Sequence, residues 1–321
     1  MKNSKHILVT GGAGFIGAHL VERLLADGKS VVVIDDLSTG SRDNLRAVAA
    51  NRSLRFIQSK ISSCTELPQL AADAEFIFHL AATVGVELVV KSALHVLEAS
   101  FNETQILLRA AAKNSTQLLL TSTSEVYGKS AKPEFSEADD LLIGPPGQSR
   151  WSYACSKLTD EFLALAYARE KNLPVTIARL FNTVGPRQTG RYGMVLPRFI
   201  AAAKAGAPLQ VFGDGAQSRC FCLVYDVVES LVRLQKCEAA RGEIFNIGGT
   251  EEVSILELAK LVVETLGAKS QIELIPYDQA YAPGFDDMRR RKPLVEKLER
   301  AVKFKPQTSL RDIIRLTAES I

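Results

Sequence analysis

The stretch that most constrains this chain is KHILVTGGAGFIG, residues 5–17. KHILVT predicts a short buried strand that runs directly into glycines at positions i, i+3 and i+6, namely Gly11, Gly14 and Gly17. AHLVERLLADG follows as an amphipathic helix closed by Gly28, and SVVVIDD reads as a second strand. In such a βαβ unit Gly11 permits the tight turn, Gly14 lets backbone approach a pyrophosphate, and Gly17 lets helix pack on strand. The phosphate then meets free N–H groups and the positive end of the helix dipole. Asp35 ends the second strand, 24 residues after Gly11. A carboxylate there accepts from ribose hydroxyls and repels a 2′-phosphate, so the expected cofactor is NAD rather than NADP.

The alternation continues along the chain. Strands are predicted at 54–59, 75–82, 117–123 and 174–181, with helices over 92–113 and 152–171. Strands separated by helices imply an α/β fold: a doubly wound parallel sheet with ligands beyond the carboxyl ends of its strands. After Leu180 the pattern becomes irregular. LQVFGDGAQSRCFCLV reads as strand, turn and strand, and helices are expected at 226–236 and 254–266. The expected division is a Rossmann domain over 1–180, joined by returning segments at about 223–247, and a smaller α/β substrate domain over 181–321. There are no internal repeats and no long linker.

Composition narrows the partners. A formal charge of +3 with interspersed signs gives no electrostatic case for nucleic acid or a membrane surface. The N-terminal apolar run is too short for a signal peptide, and no stretch is long enough to span a bilayer, so a cytoplasmic protein is expected. Five scattered cysteines and four histidines at unrelated spacings offer no metal-ligand pattern, and no metal is expected.

A second motif carries the chemistry. RWSYACSK, residues 150–157, places Tyr153 and Lys157 four apart, one turn from each other on a helix. An ammonium beside a phenol favours phenolate, so Lys157 is expected to lower the Tyr153 pKa and let it take a proton from a sugar hydroxyl. TSTSEVYG begins where a strand ends, which brings Thr123, Ser124 and Glu125 toward Tyr153. The run Arg289, Arg290, Arg291, Lys292 is either a solvated face or the source of one diphosphate-binding arginine.

With TGGAGFIG, DDLSTG, HLAA, TSTSEVYG, YACSK, RLFNTVGPRQ, VFGDG and NIGG in order, the whole chain resembles the extended short-chain dehydrogenase/reductases acting on nucleotide sugars. The likeness is greatest to UDP-glucose and UDP-glucuronate 4-epimerases, with UDP-glucuronate decarboxylases next. The resemblance implies Tyr153 as acid/base on the 4-hydroxyl, Lys157 on the nicotinamide ribose, Thr123 bonded to that hydroxyl, and Glu125 beside the sugar. It implies Gly11, Gly14, Phe15, Ile16, Asp35, Asp36, Ile61, Leu80, Ala81 and Ala82 around NAD, with Tyr153 and Lys157. Around the UDP-sugar it implies Asn182, Arg187, Leu196, Phe212, Arg219 and a tail arginine, taken as Arg290. It also implies a homodimer through the helices at 92–113 and 152–171. Departures are Lys60 where many relatives have an aspartate for the adenine amine, Cys220 after Arg219, and Leu294 where an aspartate is common.

The shared first step is hydride transfer from carbon 4 of the sugar while Tyr153 removes the hydroxyl proton. Dehydratases carry an Asp-Glu pair after the threonine; Ser124-Glu125 lacks the acid for water loss. The same Ser-Glu pair is typical of the decarboxylases. DDLSTG, the Val-Gly-Val at 84–86 and GFDDMRRR look more like the epimerases. Epimerisation of a UDP-hexose or UDP-hexuronate is therefore the expected reaction, with decarboxylation of UDP-glucuronate as the alternative. A non-catalytic NAD sensor on the same fold is disfavoured, because Thr123, Tyr153 and Lys157 are all present.

Overall fold

The computed structural model describes residues 5–82, 92–149, 151–189, 194–276 and 288–321. Val-Gly-Val at 84–86, Arg150 and the whole of GFDD at 284–287 lie outside these residues.

Apolar β-branched runs form the central strands. β1 (His6–Thr10) and β2 (Val31–Asp35) are almost wholly buried, as strands covered on both faces must be. Between them α1 (Phe15–Ala26) starts at Gly14, which has extended backbone and supplies no side-chain cap. β3 (Leu54–Gln58), α2 (Leu67–Asp73), β4 (Ala74–His79), α3 (Ala93–Ala112), β5 (Leu118–Thr123), α4 (Trp151–Lys171) and β6 (Val175–Leu180) continue the alternation. Apart from α2, a helix not expected from the sequence, these bounds lie close to those expected. β4 stops three residues early, where Leu80, Ala81 and Ala82 line a cavity.

In the remainder, β7 (Thr183–Val184), α5 (Val195–Lys204), β8 (Leu209–Phe212), β9 (Ser218–Cys220) and β10 (Cys222–Leu223) precede α6 (Val224–Gln235) and β11 (Ile244–Ile247). Then come β12 (Glu252–Ser254), α7 (Ile255–Leu266), β13 (Ile272–Ile275), α8 (Glu296–Val302) and α9 (Leu310–Ala318). The start of α7 is written into the sequence: Ser254 and Glu257 cap each other's backbone, and Gly267 ends the helix in a left-handed conformation.

Seven of the described strands form a parallel sheet in the order β11-β6-β5-β4-β1-β2-β3. Strand order reverses between β1 and β4, which opens a crevice beyond their carboxyl ends. This is the doubly wound Rossmann-like fold expected. β11 returns to pair with β6, and α6 packs against α1, so the late segment joins the first core. The strand-turn-strand reading of 209–223 needs correction as to pairing. β8 pairs in parallel with β13 and β9 antiparallel with β12, so the two are not a hairpin. A separate apolar cluster, including Leu196, Phe199, Leu209, Leu258 and Ile313, supports this part.

Candidate active site

A cavity of about 650 Å³ runs across the carboxyl ends of β1, β2, β4, β5 and β6 and on to α5, β8 and the tail. Its first end is built from glycines. A Cβ on Gly11 would stand 2.6 Å from the Ala81 nitrogen, and one on Gly17 only 2.1 Å from the Gly11 carbonyl oxygen. Gly11 also has φ 72°, a conformation L side chains avoid. Backbone, not side chain, therefore lines the cavity where α1 begins. Asp35 is fixed beside it: Oδ2 accepts from the Ala13 N–H at 2.8 Å and Oδ1 from the Leu37 N–H at 2.9 Å. Burial pushes the Asp35 carboxyl up, against those two bonds.

Leu80, Ala81 and Ala82 follow His79. The Leu80 N–H donates to the Thr10 carbonyl at 3.0 Å, and the His79 ring bonds the hydroxyls of Thr10 at 2.7 Å and Thr104 at 3.1 Å. Burial drives its pKa down to about 3, with Lys157 acting in the same direction, so His79 is neutral. Gly14, Phe15, Ile16, Asp36 and Ile61 line the same wall. Lys60 lines it too, where the resemblance implied an aspartate. The Glu103 carboxylate nearby accepts from the Ser62 N–H at 2.8 Å.

Around the middle of the cavity stand Thr123, Ser124, Glu125, Tyr153 and Lys157. Thr123 closes β5 and accepts from the Glu125 N–H at 3.2 Å, which turns the chain inward. The Tyr153 hydroxyl bonds the Thr123 side chain. The pKa expectation for Tyr153 is corrected here. Desolvation is the largest cause pushing it up, followed by the negative charges of Glu125 and Asp160; only the Thr123 bond opposes them. Lys157 is paired with a carboxylate instead: its Nζ lies 3.0 Å from Asp160 Oδ2, and both side chains are buried.

Toward the far end the cavity meets Asn182, Leu196, Phe212 and Arg219. Asn182 donates to the Cys220 carbonyl at 2.8 Å, and the Arg198 guanidinium lies 4.1 Å over the Phe212 ring. Two arginines depart from expectation. Arg187 lines the cavity, but its guanidinium is bound to Glu22 on α1 at 2.7 Å and to the Asn44 carbonyl at 2.6 Å. Its charge is thereby committed on the side of α1. Arg290 is not a cavity residue: half exposed, it pairs with Glu252 at 2.6 Å. The neighbouring Arg291 turns inward instead, buried, with its guanidinium 2.7 Å from Glu125. In an irregular tail no periodicity says which of four adjacent basic residues faces in. Asp160 had a readable signal, three residues after Lys157 on one helix face.

A glycine-lined helix start beside a buried strand-ending carboxylate, with a Tyr–Lys–Thr set on the same cavity, is the arrangement of a dinucleotide-dependent enzyme. The chain belongs to the NAD dependent epimerase/dehydratase family, whose model matches residues 7–248. The cofactor is NAD. The chain is 40% identical over 306 residues to UDP-N-acetyl-alpha-D-glucosaminuronate decarboxylase of Bacillus cytotoxicus, covering 95% of this chain and 94% of that one. It is 36% identical to UDP-glucuronic acid decarboxylase 2 of Arabidopsis thaliana, over 95% of this chain and 65% of that one. Among solved structures it resembles a mutant UDP-glucuronic acid 4-epimerase from Bacillus cereus in complex with UDP-4-deoxy-4-fluoro-glucuronic acid and NAD. There the TM-score is 0.88, with 29% identity and 98% of each chain covered. No helix among the described residues is long and apolar enough to cross a membrane.

Proposed function

We propose that this enzyme decarboxylates a UDP-hexuronate to a UDP-pentose by oxidation at carbon 4, loss of the carbon-6 carboxylate, and reduction of the ketone. The observation that carries this is the Arg291–Glu125 pair on the wall that also holds Thr123 and Tyr153. A buried guanidinium is a fixed anchor for a carboxylate, and a sugar without one gives it nothing to hold. The two decarboxylase relatives support the same reading. They shift the balance from the epimerisation expected from the motifs, two of which fall wholly or partly outside the described residues.

NAD, when bound, accepts the hydride from carbon 4 and later returns it. Gly11, Gly14 and the start of α1 would hold its pyrophosphate, and Asp35 its adenine ribose. Tyr153 takes the 4-hydroxyl proton, with Thr123 aligning the hydroxyl. Once carbon 4 is a ketone, the 6-carboxylate is β to it and can leave as carbon dioxide. Arg291 orients that carboxylate, while the Glu125 charge beside it disfavours the anion and favours its departure. Electrons from the broken bond reach the carbon-4 oxygen, where Tyr153, now protonated, donates a hydrogen bond. A proton is then added at carbon 5. Asn182, Phe212 and Arg219 would hold the UDP half.

The test is a panel of UDP-N-acetylglucosaminuronate, UDP-glucuronate and UDP-glucose with NAD-loaded enzyme. Carbon dioxide from an acidic substrate at the turnover rate supports the reading. A mass-neutral product inverted at carbon 4 restores epimerisation. We also propose a homodimer through α3 and α4, supported by exposed Leu94, Phe101 and Phe162 on those helices and testable by sedimentation.

A further inference from the structure

One turn beyond Lys157, α4 carries a carboxylate that the Tyr-x-x-x-Lys pattern does not require. Asp160 is fully buried. Its Oδ2 accepts from Lys157 Nζ at 3.0 Å and from the Ser100 hydroxyl of α3 at 2.8 Å. Its Oδ1 is also buried and has no hydrogen-bond partner among the described residues. An acid left one oxygen short of satisfaction costs stability, and an apolar residue would serve a helix–helix contact better. The cost falls next to the reacting tyrosine, and Ser100 and Lys157 both line the cavity.

We propose that Asp160 is a positioning residue that holds the Lys157 ammonium toward α3 and keeps Tyr153 protonated until cofactor and substrate are in place. The paired carboxylate offsets the pull a bare ammonium would exert on the phenol. Other charges face the same space. From the turn after β5 comes Glu125, itself paired with Arg291 of the tail. From β4 comes His79, neutral through burial. From α3 comes Glu103, bonded to Ser62. Of the acids, Glu125 and Asp160 both raise Tyr153, and only Asp160 is bound to the lysine. The inference concerns proton removal at carbon 4 and holds whichever fate the ketone then meets, so it stands apart from the decarboxylase reading.

Asp160→Asn keeps an acceptor for Ser100 and Lys157 and removes the charge. The first readout is Tyr153 phenolate absorbance in the NAD-loaded protein, taken as a difference against Tyr153→Phe. Ionisation is expected about one pH unit lower than in the unmutated protein, and the acid limb of kcat/KM should move the same way. An unmoved titration with a uniform loss of kcat would mean a packing role only and would overturn the proposal. A second readout is stability. Lys157→Met leaves the Asp160 carboxylate uncompensated, so its Tm should fall, and adding Asp160→Asn should recover most of the loss. Additive losses, or a double variant that does not fold, would show that the two groups are not coupled.

Discussion

Replacing Arg291 with methionine removes the cation assigned to the substrate carboxylate and keeps most of the side-chain volume. The pair with Glu125 is close, 2.7 Å, and the arginine side chain is only 9% exposed, so solvent screens it little. At an effective dielectric near 20, unit charges about 4 Å apart interact by roughly 4 kcal/mol. Glu125 already takes part of that attraction, and a charged hydrogen bond is worth about 1.5–3 kcal/mol net. Losing about 2–3 kcal/mol from the transition state corresponds to roughly 30- to 150-fold in kcat/KM. The unpaired Glu125 then adds repulsion, so the loss should lie at the upper end. The assay is carbon dioxide release from UDP-glucuronate and UDP-N-acetylglucosaminuronate, beside NADH formation from a UDP-hexose that has no carboxylate. The acidic substrates should suffer and the neutral one should not. Equal losses on both, or less than about threefold on the acidic ones, would refute the assignment of Arg291.

Tyr153→Phe should lower turnover on the order of 100-fold or more while NAD and UDP-sugar affinities, measured by calorimetry, stay nearly unchanged. Asp35→Ala should weaken NAD and narrow its advantage over NADP, because a carboxylate at the end of β2 would repel a 2′-phosphate; competition between the two cofactors measures it. Gly17→Ala should abolish NAD binding and lower Tm, since the new Cβ would sit 2.1 Å from the Gly11 carbonyl oxygen. His79 has a folded-state pKa of about 3 against an ordinary 6.5. Its contribution to stability is full above about pH 6.5 and is lost progressively as pH falls toward 3, because only the unfolded chain takes up the proton. Tm measured from pH 7 to pH 4 should fall less steeply in His79→Gln than in the unmutated protein.

The cofactor half of the molecule was legible because local rules fix it. Buried β-branched runs, three spaced glycines and a strand-ending acid each specify backbone directly, and their positions agree with the fold within a residue or two. The other half depends on contacts distant in sequence. Which basic residue of 289–292 faces the cavity is tied to Glu125, more than 160 residues earlier: Arg291 pairs with it, while Arg290 pairs with Glu252. Arg187 reads as a phosphate ligand until Glu22 and the Asn44 carbonyl are seen to hold it. Tyr153 departs from the expected lowered pKa for a different reason. Tyr and Lys at i and i+4 suggest mutual influence, but a buried carboxylate at the next turn changes the balance, and burial itself outweighs both. Ser124-Glu125 was readable as the pair the decarboxylases share, and it is Glu125 that the structure joins to Arg291.

Proton NMR of the reaction in D2O reaches the central claim most directly. If Arg291 and Glu125 promote loss of the carboxylate from a 4-keto sugar, carbon 5 must take its new hydrogen from solvent. The account predicts a UDP-pentose that carries deuterium at carbon 5, hydrogen returned to carbon 4, and one carbon dioxide released per turnover. A product that retains its carboxylate, carries no deuterium at carbon 5 and is inverted at carbon 4 would contradict it.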